Sequence, residues 1–160
     1  LYLKGPTPYE DLLRVTMVVR GPGVASRQLV VEPVSTLDLS ATFYEAAGVS
    51  APVEQQSRSL MKLLRGGAQT RDVAYSEWHL HPSRCGVALK LRTVRTRQFR
   101  CTFELESGAG ELYDLRNDPE EMNNLFDDAG YAHVRKELHD MMRARPGGIA
   151  EPLAEPIGMA

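Results

Sequence analysis

Four short stretches rich in β-branched and aromatic residues follow one another between Val73 and Leu115: Val73–Trp78, Val87–Val94, Phe99–Leu105 and Glu111–Leu115. The spacers 79–86, 95–98 and 106–110 are turn-length. Parallel strands need a crossover of a dozen or more residues, so the short, turn-linked spacing argues for an antiparallel meander. From Gly130 to Ala144 the period changes, with Tyr131, Val134, Leu138 and Met141 or Met142 forming one apolar stripe. A helix with that stripe buries itself by lying on one face of the four-stranded sheet, and the sheet face is buried by the same contact. The fold class expected is α+β. Asn117-Asp118-Pro119 reads as a turn between sheet and helix, and the Pro-, Gly- and Ala-rich residues 147–160 read as an irregular tail.

Upstream the pattern differs. Arg14 to Val19 is a β-branched apolar run stopped by Gly21-Pro22-Gly23, which predicts an interior strand and a turn. Arg27 to Val31 predicts a second extended piece, closed by Pro33. Ser35-Thr36-Leu37-Asp38 has capping-box form with Asp in place of Glu, and it opens a helix expected over 36–47. Leu37, Ala41 and Tyr44 form its stripe, widened by Phe43, Ala46 and Ala47, and Gly48 supplies a left-handed C-cap against which Val49 can pack. Ser59 to Leu64 is a short helix ended by Gly66-Gly67, and that pair is the expected boundary between a first part, 1–67, and a second, 68–146.

Length and charge exclude some function classes. With 160 residues the chain can bury a real core, and at 25% charged residues with a net charge of −2 it carries no general basic field for nucleic acid or an anionic membrane. No apolar run approaches the roughly 20 residues of a membrane helix. The two cysteines, Cys85 and Cys101, do not make a disulfide framework: in a hairpin turning near Arg97, Cys101 lies opposite the region of Thr93, away from Cys85. The chain starts at Leu1 with no initiator Met, and the expectation is a truncated start.

Several groups are candidates for chemistry. Lys4 stands against the Gly5-Pro6 turn, and an ammonium on a rigid turn is an anion contact with three donors. Glu10 and Arg14, four apart, are expected to pair. In Glu77-Trp78-His79-Leu80-His81 the two histidines share a strand face; they are either a solvated strand end or part of a substrate mouth, and two histidines alone make a poor zinc site. Arg92, Arg95, Arg97 and Arg100 form a basic hairpin, read either as a solvated face or as a contact for an anionic substrate. Asp114, Asp118, Glu120 and Glu121 lack calcium-loop spacing.

Five segments in series resemble the sulfatases of the alkaline-phosphatase-like superfamily. They are Lys4-Gly5-Pro6-x-x-Tyr9-Glu10-x-x-x-Arg14-Val15, Ser35 to Val49, Ser59-Leu60-x-x-Leu63-Leu64-x-Gly66, Val94-Arg95-Thr96-x-x-Phe99-Arg100, and Glu111-Leu112-Tyr113-Asp114-Leu115-x-x-Asp118-Pro119-x-Glu121-x-x-Asn124-Leu125. The resemblance implies the C-terminal part of a sulfatase α/β fold, with 1–67 a remnant of the large catalytic domain. It implies hydrolysis of a sulfate ester, on a sulfated small molecule or saccharide, by a formylglycine and a divalent cation, calcium in most members. Lys4 matches the lysine that contacts the sulfate, and His79, His81 and Arg84 fall where the substrate mouth is expected. A homo-oligomer is compatible with the resemblance. The chain departs from the family in three ways. Pro82-Ser83-Arg84 has no Cys two places before the proline, Cys85 lies on the wrong side of it, and Thr16 replaces the usual Pro. The nucleophile and metal ligands are therefore expected upstream of Leu1, and the 160 residues alone are expected to be inert. Two alternatives accompany this reading: a phosphonate or phosphodiester hydrolase of the same superfamily, and a non-catalytic oligomerisation or carbohydrate-binding module.

Overall fold

A computed structural model of the chain describes residues 7–52, 56–68, 71–82 and 86–145. Lys4, Arg84, Cys85 and the tail 147–160 lie outside the described residues. The chain divides into two compact units, one formed by residues 1–15 with 75–160, the other by residues 16–74.

In the larger unit the order is α1 (Glu10–Leu13), the strands, a 3₁₀ turn (Ala129–Tyr131) and α4 (Ala132–Arg143). The strands are β1 (Val73–Leu80, whose first two residues belong to the smaller unit), β2 (Leu89–Thr96), β3 (Phe99–Glu104) and β4 (Gly110–Asp114). They form one sheet in the order β1-β2-β3-β4, with β2–β3 and β3–β4 antiparallel. The expected meander and the helix lying on it are both present. Cys101 sits opposite Val94, one place from the expected Thr93, because the hairpin turns at Arg97-Gln98.

The pleat sorts the sheet into two unlike faces. Val94, Cys101, Phe103 and Leu112 share one face and are all buried. Val134, Leu138 and Met142 of α4 are buried, and Phe126 meets Phe103 edge to face at 6.0 Å. Cys101 is a free thiol in this layer, and burial pushes it far above its usual range, against the opposing pull of Arg100. The other face carries Thr93, Arg95, Arg100, Thr102, Glu111 and Tyr113. It is polar, yet Thr93, Arg100, Thr102 and Tyr113 are buried. Thr93 and Thr102 face each other across the strands, hydroxyl to hydroxyl at 2.8 Å.

The smaller unit holds α2 (Asp38–Ala46) and α3 (Met61–Leu64). The capping segment behaves as expected in part: the Asp38 carboxylate accepts from the Ser35 N–H at 3.0 Å, and Ser35 Oγ accepts from the Leu37 N–H at 3.3 Å. Asp38 does more than cap. It is buried and also accepts from the Arg58 N–H at 2.9 Å and from Arg71 Nη2 at 2.6 Å. This hub turns the buried side of α2 toward Asp38, Ala41 and Thr42, so Leu37 and Phe43 of the expected stripe are exposed. Gly48 takes the left-handed cap, with φ of 68°, donating to Glu45 O while Val49 N donates to Tyr44 O. Val49 itself stays exposed.

The strand expected over Arg14 to Val19 does not form, nor does the extended piece Arg27–Val31 pair with anything as a strand. A strand exists only where a neighbour takes its backbone groups, and no described residue does so here; Val18 is 87% exposed. Arg27 instead stands in a turn with φ of 56°.

Candidate functional site

Two polar clusters stand out in the larger unit. The first pins the segment that follows Lys4. Tyr9 lies against the polar sheet face, its ring 6.4 Å from Tyr113, with the Arg100 guanidinium 5.3 Å from the Tyr9 ring and 4.8 Å from that of Tyr113. Its hydroxyl donates to Glu111 at 3.4 Å. The Glu10 carboxylate takes Arg95 at two points, Nη2 to Oε1 at 2.7 Å and Nε to Oε2 at 3.3 Å, while the Glu10 N–H donates to Glu121 Oε2 at 2.8 Å. Glu10 therefore pairs with Arg95 and not with Arg14. A one-turn helix, Glu10–Leu13, offers little support for an i, i+4 pair, whereas the sheet presents a fixed fork.

At the centre of this cluster Arg100 is fully buried. Its Nε donates to Glu121 Oε1, its Nη1 to Thr102 Oγ1 at 2.8 Å, and its Nη2 faces Glu111 at 3.4 Å. Glu121 holds its place with φ of 53°, a left-handed conformation uncommon for a side chain with a Cβ. Tyr113 is pushed well above its ordinary range, chiefly by burial and then by the Glu111 charge, so its ring stays neutral beneath Arg100.

The second cluster stands at the C-terminal end of α4. Tyr75, Glu77 and His79 alternate along β1 and share a face. The Tyr75 hydroxyl donates to Met141 O at 2.9 Å, seating that face on α4. Arg92, on the helix side of β2 and 1% exposed, brings Nη1 to 2.6 Å from His79 Nε2 and Nε to 3.5 Å from Glu77. Arg145 reaches the same Glu77 oxygen at 3.2 Å. Glu77 thus joins two guanidinium groups, and His79 caps one of them at the exposed edge.

The expected basic hairpin is consequently mostly interior. Arg92 and Arg100 are buried in ion pairs, Arg95 is bound to Glu10, and Arg97 alone of the four is exposed. Arg92 shares strand parity with the core residue Val94, and a charge at core parity is the local sign of a buried partner. The roles of Glu77, Arg92, Glu121 and Arg145 were not in the sequence reading. His79 and His81 are both exposed, and His81 follows the end of β1. Lys4 and Arg84 lie outside the described residues. Among the described residues no three His, Cys, Asp or Glu side chains gather to hold a metal ion, so these residues do not fit the expected cation. Nor is any described helix long and apolar enough to cross a membrane.

Residues 6–146 match the family described as N-sulphoglucosamine sulphohydrolase, C-terminal. The chain is 34% identical over 136 residues to the Delta 4,5-hexuronate-2-O-sulfatase of Bacteroides thetaiotaomicron, covering 81% of the chain and 27% of that protein. It is 31% identical over 140 residues to the N-acetylglucosamine-6-O-sulfatase of the same organism, covering 84% and 25%. A solved 2-O GAG sulfatase superposes with a TM-score of 0.69 at 30% identity, over 84% of this chain and 31% of that one. The chain thus spans about a quarter of the length of these curated relatives. The sheet with its helix, the motif series and the match over residues 6–146 place the chain in the N-sulphoglucosamine sulphohydrolase C-terminal family, a C-terminal portion of the sulfatases.

Proposed function

We propose that the chain is the C-terminal part of an enzyme that hydrolyses a sulfate ester on a saccharide. The observation that carries this is the family match over residues 6–146, joined by two relatives named for sulfated-sugar substrates. Lys4 is the sulfate contact: a permanent cation with three donors, set to hold charge on sulfate oxygens. What supports this is the place of Lys4 at the head of the family-like segment Lys4-Gly5-Pro6-x-x-Tyr9-Glu10, whose Tyr9 and Glu10 are anchored on the sheet. His79, His81 and Arg84 belong to the substrate mouth. By resemblance to the family, the divalent ion, calcium in most members, and the formylglycine belong to parts of the enzyme outside these 160 residues. This chain supplies charge placement and substrate contacts, and alone it is inert.

The test is turnover by the full-length protein of p-nitrophenyl sulfate, p-nitrophenyl phosphate esters and N-acetylglucosamine 6-sulfate. Sulfate esters are expected to be the better substrates, with Lys4→Ala lowering kcat about 10² to 10³-fold. Faster cleavage of the phosphate or phosphonate esters would replace the sulfatase reading with the hydrolase of the same superfamily. No turnover of any ester would favour the non-catalytic module.

A further inference from the structure

The contact between Arg92 and His79 determines more than position. A guanidinium has five N–H donors and no acceptor, and it keeps its proton in proteins. Nη1 lies 2.6 Å from His79 Nε2, so Nε2 accepts. In the neutral ring that places the proton on Nδ1. Arg92 cannot swing away to release the ring. It is 1% exposed, it also donates to Leu91 O at 3.1 Å, and its Nε faces Glu77, which Arg145 holds from the other side. The ring it orients is exposed near the end of β1, two residues before the exposed His81.

We propose that Arg92 is a positioning residue for substrate recognition: it holds His79 as an Nδ1–H donor, offered to an acceptor oxygen of the bound saccharide. The proposal rests on the sulfatase reading above for the identity of the ligand, and on the Arg92–His79 geometry alone for the tautomer. A histidine held this way reads hydroxyl or sulfate oxygens and discriminates against groups that can only donate. The arrangement resembles metal sites, in which a second residue fixes which imidazole nitrogen carries the proton; here the second residue is a buried cation and the ligand an oxygen acceptor.

The experiment uses the full-length protein labelled with ¹⁵N-histidine. Two-bond ¹H–¹⁵N correlation spectra report the His79 tautomer, with His79→Gln identifying the signal. The Nδ1–H form is expected in the wild type and in Arg92→Lys, which keeps a donor, and a tautomer mixture in Arg92→Met. In parallel, kinetics on N-acetylglucosamine 6-sulfate compare two substitutions at an exposed site that leave the core intact. Asn places an amide N–H near the position of Nδ1, and Gln reaches only the position of Nε2. His79→Gln is expected to raise KM about tenfold, the loss of one hydrogen bond, and His79→Asn distinctly less. An Nε2–H tautomer in the wild type, or an unchanged tautomer in Arg92→Met, overturns the positioning role. The expected tautomer with unchanged KM in both variants overturns the saccharide contact, while the sulfatase reading stands. Absence of sulfate ester turnover in the wild type defeats that reading and with it the saccharide contact, while the spectra still decide the tautomer.

Discussion

Arg95 of β2 grips Glu10 of α1 at two points, 2.7 and 3.3 Å, across 85 positions of the chain. Both side chains are largely shielded, at 20% and 13% exposed, so the pair escapes most of the solvent screening that makes surface pairs worth little. It also gives α1 a tertiary reason to form, since four residues cannot hold a helix by themselves. A double-mutant cycle with Glu10→Gln and Arg95→Met, read by urea unfolding of the full-length protein, is expected to show a coupling of about 1 to 3 kcal/mol. If Lys4 depends on this anchor, both single variants also lower turnover of p-nitrophenyl sulfate. Coupling near zero would mean the segment is held by Tyr9 and by the Glu10 N–H bond to Glu121 instead.

Arg100 and Glu121 form the deeper pair, at 0% and 4% exposed. Removing one partner of a buried pair leaves the other charge without compensation, and Glu121→Gln or Arg100→Met is expected to cost about 3 to 5 kcal/mol. Glu121→Gly separates two effects. It relieves the left-handed backbone, worth about 1 kcal/mol, while losing the same carboxylate. It is therefore expected to be less destabilised than Glu121→Ala in thermal or urea unfolding. Equal loss in the two variants would show that the strain relieved does not exceed the entropy that glycine adds to the unfolded chain.

The sheet and α4 were legible because their signals are local: turn spacing, a change of period, and a stripe. The near-terminal motif was recognisable as a pattern, but its physics was not. Asn124 Oδ1 accepts from the N–H groups of Leu112 and Phe126, both at 3.0 Å, and its Nδ2 donates to Gly110 O at 3.2 Å, so one side chain completes the edge of β4. Glu121 serves Arg100 and the Glu10 N–H together. Such roles join residues far apart in sequence, and no local window holds both. The basic hairpin was misjudged for this reason: Arg100 is buried by Tyr9, and Arg92 is joined to Arg145 through Glu77. Val15 to Val19 erred in the other direction, because a β-branched run states a preference and not a partner. His79 stands out in the sequence by its place near a strand end, whereas its contact with Arg92, thirteen residues on, comes only from the fold.

Gly110 is required by its neighbour. A Cβ there would lie 2.2 Å from Phe126 Cε2 and 2.6 Å from Thr102 O, and Phe126 is fully buried with nowhere to retreat. Gly110→Ala is expected to destabilise by about 1 to 3 kcal/mol, as overpacking does. Pairing it with Phe126→Leu gives the ring's space back in part, so the double variant is expected to lose less than the sum of the singles. Additive losses in denaturant unfolding would show that the strain falls on the Thr102 carbonyl instead.

Glu104 gives the fold an acid limit. Burial raises its pKa, but four hydrogen bonds outweigh that: from Ser107 Oγ at 2.7 Å, and from the backbone N–H groups of Ser107 at 2.7 Å, Lys90 at 3.1 Å and Glu106 at 3.0 Å. The carboxyl sits below its ordinary 4.5. A group whose folded pKa is depressed contributes stability that is fully present above its unfolded pKa and is lost as pH falls through the folded one. Stability of the wild type is therefore expected to decline below about pH 4.5, the unfolded value, with Glu104 responsible for part of the slope. Glu104→Gln keeps an acceptor oxygen but not the charge. It is expected to be less stable than the wild type at pH 7, with the gap narrowing as pH falls below 4.5, when followed by urea midpoints. Parallel curves for the two proteins would assign the acid slope to other carboxylates.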